Sequence, residues 1–244
     1  MQIDALALRL RPRRPVEATD LGVRLCQSSA RTLYPVYAAV AIPVVLLSFA
    51  TFEIAAWLPS LIIWWLKPWI DRTVVFILSR AAFGQRTTLS DLWAAQRHVW
   101  WSHLWFTLTV QRFSLWRSLT QPVYQLEGMS PFRARARVRQ IRRRHVGAAI
   151  MMTSTFAMCE TALWVGIFSL LYWFAPREHA PDLMAVLARE VPGPLVLTST
   201  VAYTAAVLFL EPFYVAAGFA MYLNRRTELE AWDIEQEFRR AFRR

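Results

Sequence analysis

Lysine is almost absent from this chain: of its 28 basic residues only Lys67 is not arginine. Glycine is scarce too, at 7 in 244 residues. None of the seven falls in the G-x-G-x-x-G or G-x-x-x-x-G-K-[ST] spacing by which a backbone wraps nucleotide phosphates. The two cysteines, Cys26 and Cys159, are too few for a disulfide framework. The histidines, His98, His103, His145 and His179, stand in separate segments at no metal-ligand spacing. Neither H-E-x-x-H nor G-x-S-x-G occurs. These absences argue against an enzyme, and no cofactor or metal is expected. The first residues, MQIDALALRLRPRRP, lack the apolar core and cleavage site of a secretory signal. Acids are outnumbered 17 to 28, which leaves a net charge of +11.

What the chain has in excess is apolar surface and tryptophan. It is 56% hydrophobic, against about 45–50% for soluble domains, and the excess is gathered in blocks. Its 12 tryptophans suit the headgroup region of a bilayer. The arginine bias fits a GC-rich bacterial genome. One stretch organises the rest: RARARVRQIRRR carries Arg133, Arg135, Arg137, Arg139, Arg142, Arg143 and Arg144 and no acid, with apolar segments of spanning length on both sides. A loop this basic stays in the cytoplasm, because cationic flanks resist translocation.

The pattern predicts an all-α, polytopic protein of the bacterial inner membrane. About four transmembrane helices form two hairpins, with interfacial amphipathic helices beside them and both termini cytoplasmic. Residues 1–33 are an N-terminal cytoplasmic segment with a helix from Thr19, capped by Thr19 or Asp20. Residues 34–83 form the first hairpin: a span from Tyr34 to Leu58, a tight turn at Pro59-Ser60, and a second span from Leu61 to Phe83. That second span is either continuous or broken after Pro68 into a dipping and an interfacial piece. Residues 84–146 are a cytoplasmic loop with a helix capped at Ser90-Asp91 and an interfacial helix from Val99 to Val110. The loop also carries the arginine cluster, whose stripe of Ala134, Val138 and Ile141 can rest on lipid. Residues 147–223 form the second hairpin, with an outer loop at 175–192. Residues 224–244 are an amphipathic tail helix with Ile234, Phe238 and Phe242 on one face. The proposed inner segments hold 23 arginines and the outer loop two, Arg177 and Arg189.

Ionisable residues inside spans cost most and are functional by default: Glu53, Lys67, Asp71, Glu160 and Glu211 are the candidates. Lys67 and Asp71 are four apart and can pair on one helix face. A Lys67–Glu211 or Lys67–Glu160 pair can join the two halves. One reading is a polar or ion pathway; the other is a set of structural pairs that fixes helix packing. The second is favoured, because no chain of further acids or histidines continues a path. The halves also echo each other. Glu53 to Trp57 matches Glu160 to Trp164, Leu66-Lys67-Pro68-Trp69 matches Leu210-Glu211-Pro212-Phe213, and Arg86-Thr87 matches Arg226-Thr227. Repeats in this order would be parallel, related by an axis along the membrane normal. The arginine cluster lacks the interleaved aromatics of a single-strand nucleic-acid binder, so the partners expected are the bilayer and its anionic headgroups, not nucleic acid.

Four segments carry a resemblance: ATDLGVRL (Ala18 to Leu25), WWLKPWIDRTVVFILSRAAFG (Trp64 to Gly84), PVYQLEG (Pro122 to Gly128) and the stretch Glu211 to Arg240. They resemble a family of uncharacterised proteobacterial inner-membrane proteins, itself distantly similar to the membrane domain of glycerophosphoryl diester phosphodiesterases and to Yip1-like proteins. Members are often encoded beside a MoxR-type ATPase. The resemblance implies a membrane subunit of an envelope-related assembly, with a membrane-protein partner or a second copy, and transfers no catalytic residue. The expectation is a non-enzymatic scaffold or accessory subunit. Its rivals are a transporter or channel subunit using the intramembrane charges, and a lipid-modifying enzyme with a polar pocket near His98 or His103.

Overall fold

A computed structural model describes residues 12–174 and 193–230. The expected outer loop and most of the expected tail helix lie outside the described residues. Within them, every regular element is helical. The helices are α1 (Pro15–Phe49), α2 (Leu58–Ala81), α3 (Leu89–Ala94), a π-helical turn (Arg97–Trp101), α4 (Leu104–Leu108), α5 (Arg117–Leu126), α6 (Ala134–Arg142), α7 (Val146–Trp173) and α8 (Gly193–Glu230).

Three of them, α1, α7 and α8, are long and apolar enough to cross a membrane. Helix α2 has the length, but Lys67, Asp71, Arg72 and Arg80 take it outside that composition. It is one continuous helix through Pro68, not a broken element. Helix α1 begins at Pro15 rather than Thr19, because proline at a first turn loses no bonded N–H and Glu17 complements the helix dipole. It runs unbroken past Tyr34, so the expected boundary there falls inside a helix. The turn between α1 and α2 occupies residues 50–57, and Pro59 and Ser60 belong to the first turn of α2.

Helix α8 is the centre of the structure. It packs against α1, α2, α5 and α7, and Tyr214 to Asn224 are buried all round. Two glycines make this possible. A Cβ at Gly22 would stand 2.3 Å from the Ala216 carbonyl oxygen, and one at Gly218 would stand 2.3 Å from the Ser118 Cβ. Backbones of α1 and α5 therefore touch α8 directly, through the small residues Ala216, Ala217 and Gly218. Asn224 closes one end, accepting from the Arg13 N–H at 2.8 Å and donating to its carbonyl at 3.0 Å. Helix α7 packs on α8 and turns Met151, Met158, Val165 and Leu170 outward.

Helix α5 departs most from the sequence reading. The sequence places it in the loop between the hairpins without a packing role, whereas Arg117 to Val123 and Gln125 are buried between α2 and α8. Helix α6 differs in a related way. Its stripe of Ala134, Val138 and Ile141 is buried as a unit, but against α5 and α8 rather than lipid. The stretch 99–110 is not one interfacial helix. It divides into the π-helical turn and α4 at His103, whose φ is 54°. Arg72 supplies the reason, donating to the His98 and Ser102 carbonyls and to Thr107 Oγ1 and so drawing the chain down onto α2. Arg72→Lys, with fewer and less directional donors, is expected to free residues 98–107. Limited proteolysis or amide exchange there should accelerate well before the rest of the chain unfolds.

The cap of α3 is Thr88, not Ser90-Asp91. Its Oγ1 accepts from the Asp91 N–H while Asp91 accepts from the Thr88 N–H, a capping box. Thr88→Ala should weaken α3 by about 1 kcal/mol, read as faster exchange of its amides. Those same Thr88 hydrogen bonds, with Arg80 adding to them, hold the Asp91 carboxyl below its ordinary 3.8. Asp91 therefore supports α3 above that pH, and its support fades as pH falls through the lower folded value.

Candidate functional site

Five charged side chains from four helices meet beside α8. Lys67 and Asp71 come from α2, Arg117 from α5, Glu160 from α7 and Glu211 from α8. Lys67 Nζ lies 2.6 Å from Glu160 Oε2 and 2.6 Å from Glu211 Oε2. Arg117 Nη2 lies 2.9 Å from Glu211 Oε1 and 3.0 Å from Asp71 Oδ2. Glu211 therefore bridges two cations. Lys67 and Asp71, although four apart on α2, pair with separate partners rather than with each other. Both inter-half pairs considered from the sequence, Lys67–Glu160 and Lys67–Glu211, form together.

Burial makes these contacts strong. Asp71 is fully buried, Glu211 and Arg117 nearly so, and Glu160 alone keeps some exposure. Uncompensated, any of them would cost several kcal/mol. With Arg112 nearby, three acids face three cations if all are ionised. The Arg112 guanidinium lies 3.4 Å from the Trp64 ring centroid.

The local sequence explains how each group arrives. Positions 117, 121 and 125 recur every four residues on α5 and face α2. Gln121 donates to the Pro68 carbonyl at 3.1 Å and Gln125 to the Arg72 carbonyl at 2.7 Å, which sets Arg117 opposite Asp71. Sequence reasoning missed Arg117 because it followed a short apolar run and looked like a cytoplasmic arginine. The signal that could have found it is RSLTQPVYQ itself, a helix with polar residues at spacing four between two spans.

Glu53 stays apart, exposed in the turn after α1. This separates it from Glu160, its counterpart in the expected repeat, which lies mid-helix in α7. Of the matched segments, Leu66 to Trp69 and Leu210 to Phe213 do occupy similar mid-helix positions, and they meet through Lys67 and Glu211. Arg86-Thr87 lies between helices, whereas Arg226-Thr227 is inside α8.

A groove opens beside the charges. A cavity of about 360 Å³ is lined by Lys67, Arg112, Arg117, Glu160 and Glu211 with Trp64 and Tyr214. A second of about 430 Å³, bounded by Ser60, Trp164, Ser199 and Tyr203, shares Trp64 and Glu160 with it. The groove thus runs along α8 between α2 and α7, crossed by the Lys67–Glu160 pair. Neither His98 nor His103 lines it. His98 Nε2 is engaged with the Gln125 carbonyl at 2.6 Å.

The seven arginines of the basic stretch divide. Arg137 is held by Glu127 at 3.0 Å and by Glu230, and Glu127 also accepts from the Tyr222 hydroxyl at 2.9 Å. Burial lowers the Arg137 pKa, but hydrogen bonds and charge from Glu230 and Glu127 outweigh it and keep the group above its ordinary value. Arg135, Arg139, Arg142 and Arg143 border a separate cleft beside α6, while Arg133 and Arg144 are exposed outside it. Among the described residues no group of three His, Cys, Asp or Glu is placed to hold a metal ion.

The described residues are helical throughout their regular structure, and three of their helices are long and apolar enough to cross a membrane, as in a membrane protein. No family model, curated protein or solved structure matches the chain.

Proposed function

We propose that this chain is a non-enzymatic accessory or scaffold subunit of a bacterial inner-membrane assembly, with four spans and both termini in the cytoplasm. The observation that carries the reading is the internal pairing of the charge cluster: four ion-pair contacts of 2.6–3.0 Å tie α2, α5, α7 and α8 together, while the two Asp71 oxygens have no hydrogen bond among the described residues. Charges that bind one another this closely fix packing rather than wait for a transported ion. Helix α2 counts as the fourth span because Lys67, Asp71 and Arg72 are buried within the bundle, while Leu61, Trp64 and Trp65 face outward. An even number of spans keeps the arginine-rich segments on one side. The resemblance to inner-membrane proteins encoded beside MoxR-type ATPases supports an assembly role. Isolation from its native membrane in mild detergent should recover a stoichiometric partner or a second copy. Clean isolation as a lone monomer would overturn the reading.

A second reading, a transporter subunit, has one observation in its favour: the groove reaches Glu160, the most accessible member of the cluster. It requires Glu160→Gln to abolish a measurable flux in proteoliposomes while leaving the protein folded. Unchanged behaviour of that variant removes it.

A further inference from the structure

We infer that the cleft beside α6 binds one anionic phospholipid, its phosphate held by Arg135, Arg139, Arg142 and Arg143. The inference rests on the bilayer placement proposed above and adds a defined site to it. The cleft has a volume of about 790 Å³ and no acidic residue lines it. Its lining is of two kinds: the four arginines, and apolar residues that include Phe106, Val110 and Val146. A free anion needs only the first kind. A phosphate attached to acyl chains uses both.

The arginines are available in a way that their neighbour is not. Among the described residues, none of the four has a carboxylate within ion-pair distance, whereas Arg137, on the same helix, is held by two. The Arg142 guanidinium lies 4.0 Å from the Trp116 ring centroid, and its Nε is buried without a hydrogen-bond partner. Stacking leaves guanidinium edges free to donate, and arginine forks match phosphate oxygens two at a time. Position supplies the last argument. Val146 is the first residue of α7, a helix of spanning length, so the cleft opens where that helix enters the membrane. A basic pocket at that level meets headgroups first.

Native mass spectrometry of the full chain, released from detergent micelles with added lipid, tests the site. One phosphatidylglycerol per chain should be retained, and phosphatidylcholine should not. Joint replacement of Arg135, Arg139, Arg142 and Arg143 by glutamine should weaken phosphatidylglycerol binding at least tenfold. The pair Arg133→Gln and Arg144→Gln, in the same stretch but outside the cleft, should leave it unchanged. If the quadruple variant does not fold, the exposed Arg139→Gln and Arg143→Gln are tested singly, each with an expected loss of about threefold. Equal losses in both sets would mean diffuse attraction and overturn the site. Displacement by millimolar inorganic phosphate would make it a free-anion site. Binding that appears only after residues 231–244 are removed would make that tail the occupant. Carbonate extraction of membranes separates the failures: a protein released by carbonate refutes the bilayer placement, whereas one that stays and shows no lipid preference refutes only the inference.

Discussion

Arg117→Met is expected to be the most damaging single substitution on α5, lowering stability by about 3–5 kcal/mol. Arg117 is the cation that pairs with Asp71, and it supports Glu211 as well. Asp71 is fully buried. Without Arg117 it must either remain ionised with its nearest countercharge gone or take up a proton. Methionine has nearly the reach of the arginine stem, so the loss measures charge rather than volume. Adding Asp71→Asn should restore much of the stability, because removing both members of a buried pair costs far less than removing one. Arg144→Met, at an exposed residue, should stay within about 0.5 kcal/mol of the parent. Thermal unfolding in one detergent, followed by circular dichroism and size exclusion, reads all three. Arg117→Met melting with the parent would show that the cluster does not hold the bundle together.

Gly22→Ala and Gly218→Ala should each destabilise by about 1–3 kcal/mol, the opposite of what alanine normally does in a helix. At Gly22 the new methyl would meet the Ala216 carbonyl oxygen at 2.3 Å, and backbone cannot rotate aside, so α1 must move off α8. At Gly218 it would meet Ser118 on α5, including its backbone carbon at 2.5 Å. Loss of either contact also disturbs the register that sets Arg117 against Glu211. Helix α7 provides the control within the same molecule. Gly147 and Gly166 have nothing within 4 Å of an added Cβ, so alanine there should gain up to about 1 kcal/mol from helix propensity. Equal melting of Gly22→Ala and Gly166→Ala would contradict the close approach of α1 and α8.

Much of the helical content was legible because long apolar blocks admit few other structures. The bounds of α7 fall within a residue of those expected, Gly147 to Phe174, since the apolar run begins just after Arg144-His145 and the helix turns an apolar face outward. Proline misled in two directions. Pro59 looked like a turn and is a helix start, and Pro68 looked like a break and sits inside an unbroken helix. Pro59 stands in the first turn, where its missing N–H breaks no helical bond, whereas Pro68 lies in the interior against the local preference of proline. The stripe on α6 was visible at Ala134, Val138 and Ile141, but periodicity shows only that a face is apolar, not whether protein or lipid covers it.

By itself the sequence determined that the described residues are helical, that several segments are long and apolar enough to cross a membrane, and that Lys67, Asp71, Glu160 and Glu211 needed partners; its count of four spans stands against three helices of spanning length and composition among the described residues. Each follows from composition and spacing within a few turns of one helix. Only the tertiary structure decided that α5 enters the bundle, that Arg117 completes the cluster, that Glu53 does not belong to it, and which four arginines share a cleft. Those facts depend on contacts between residues as far apart as Arg117 and Glu211. Such contacts are set by how closely two backbones can approach, which no local pattern encodes.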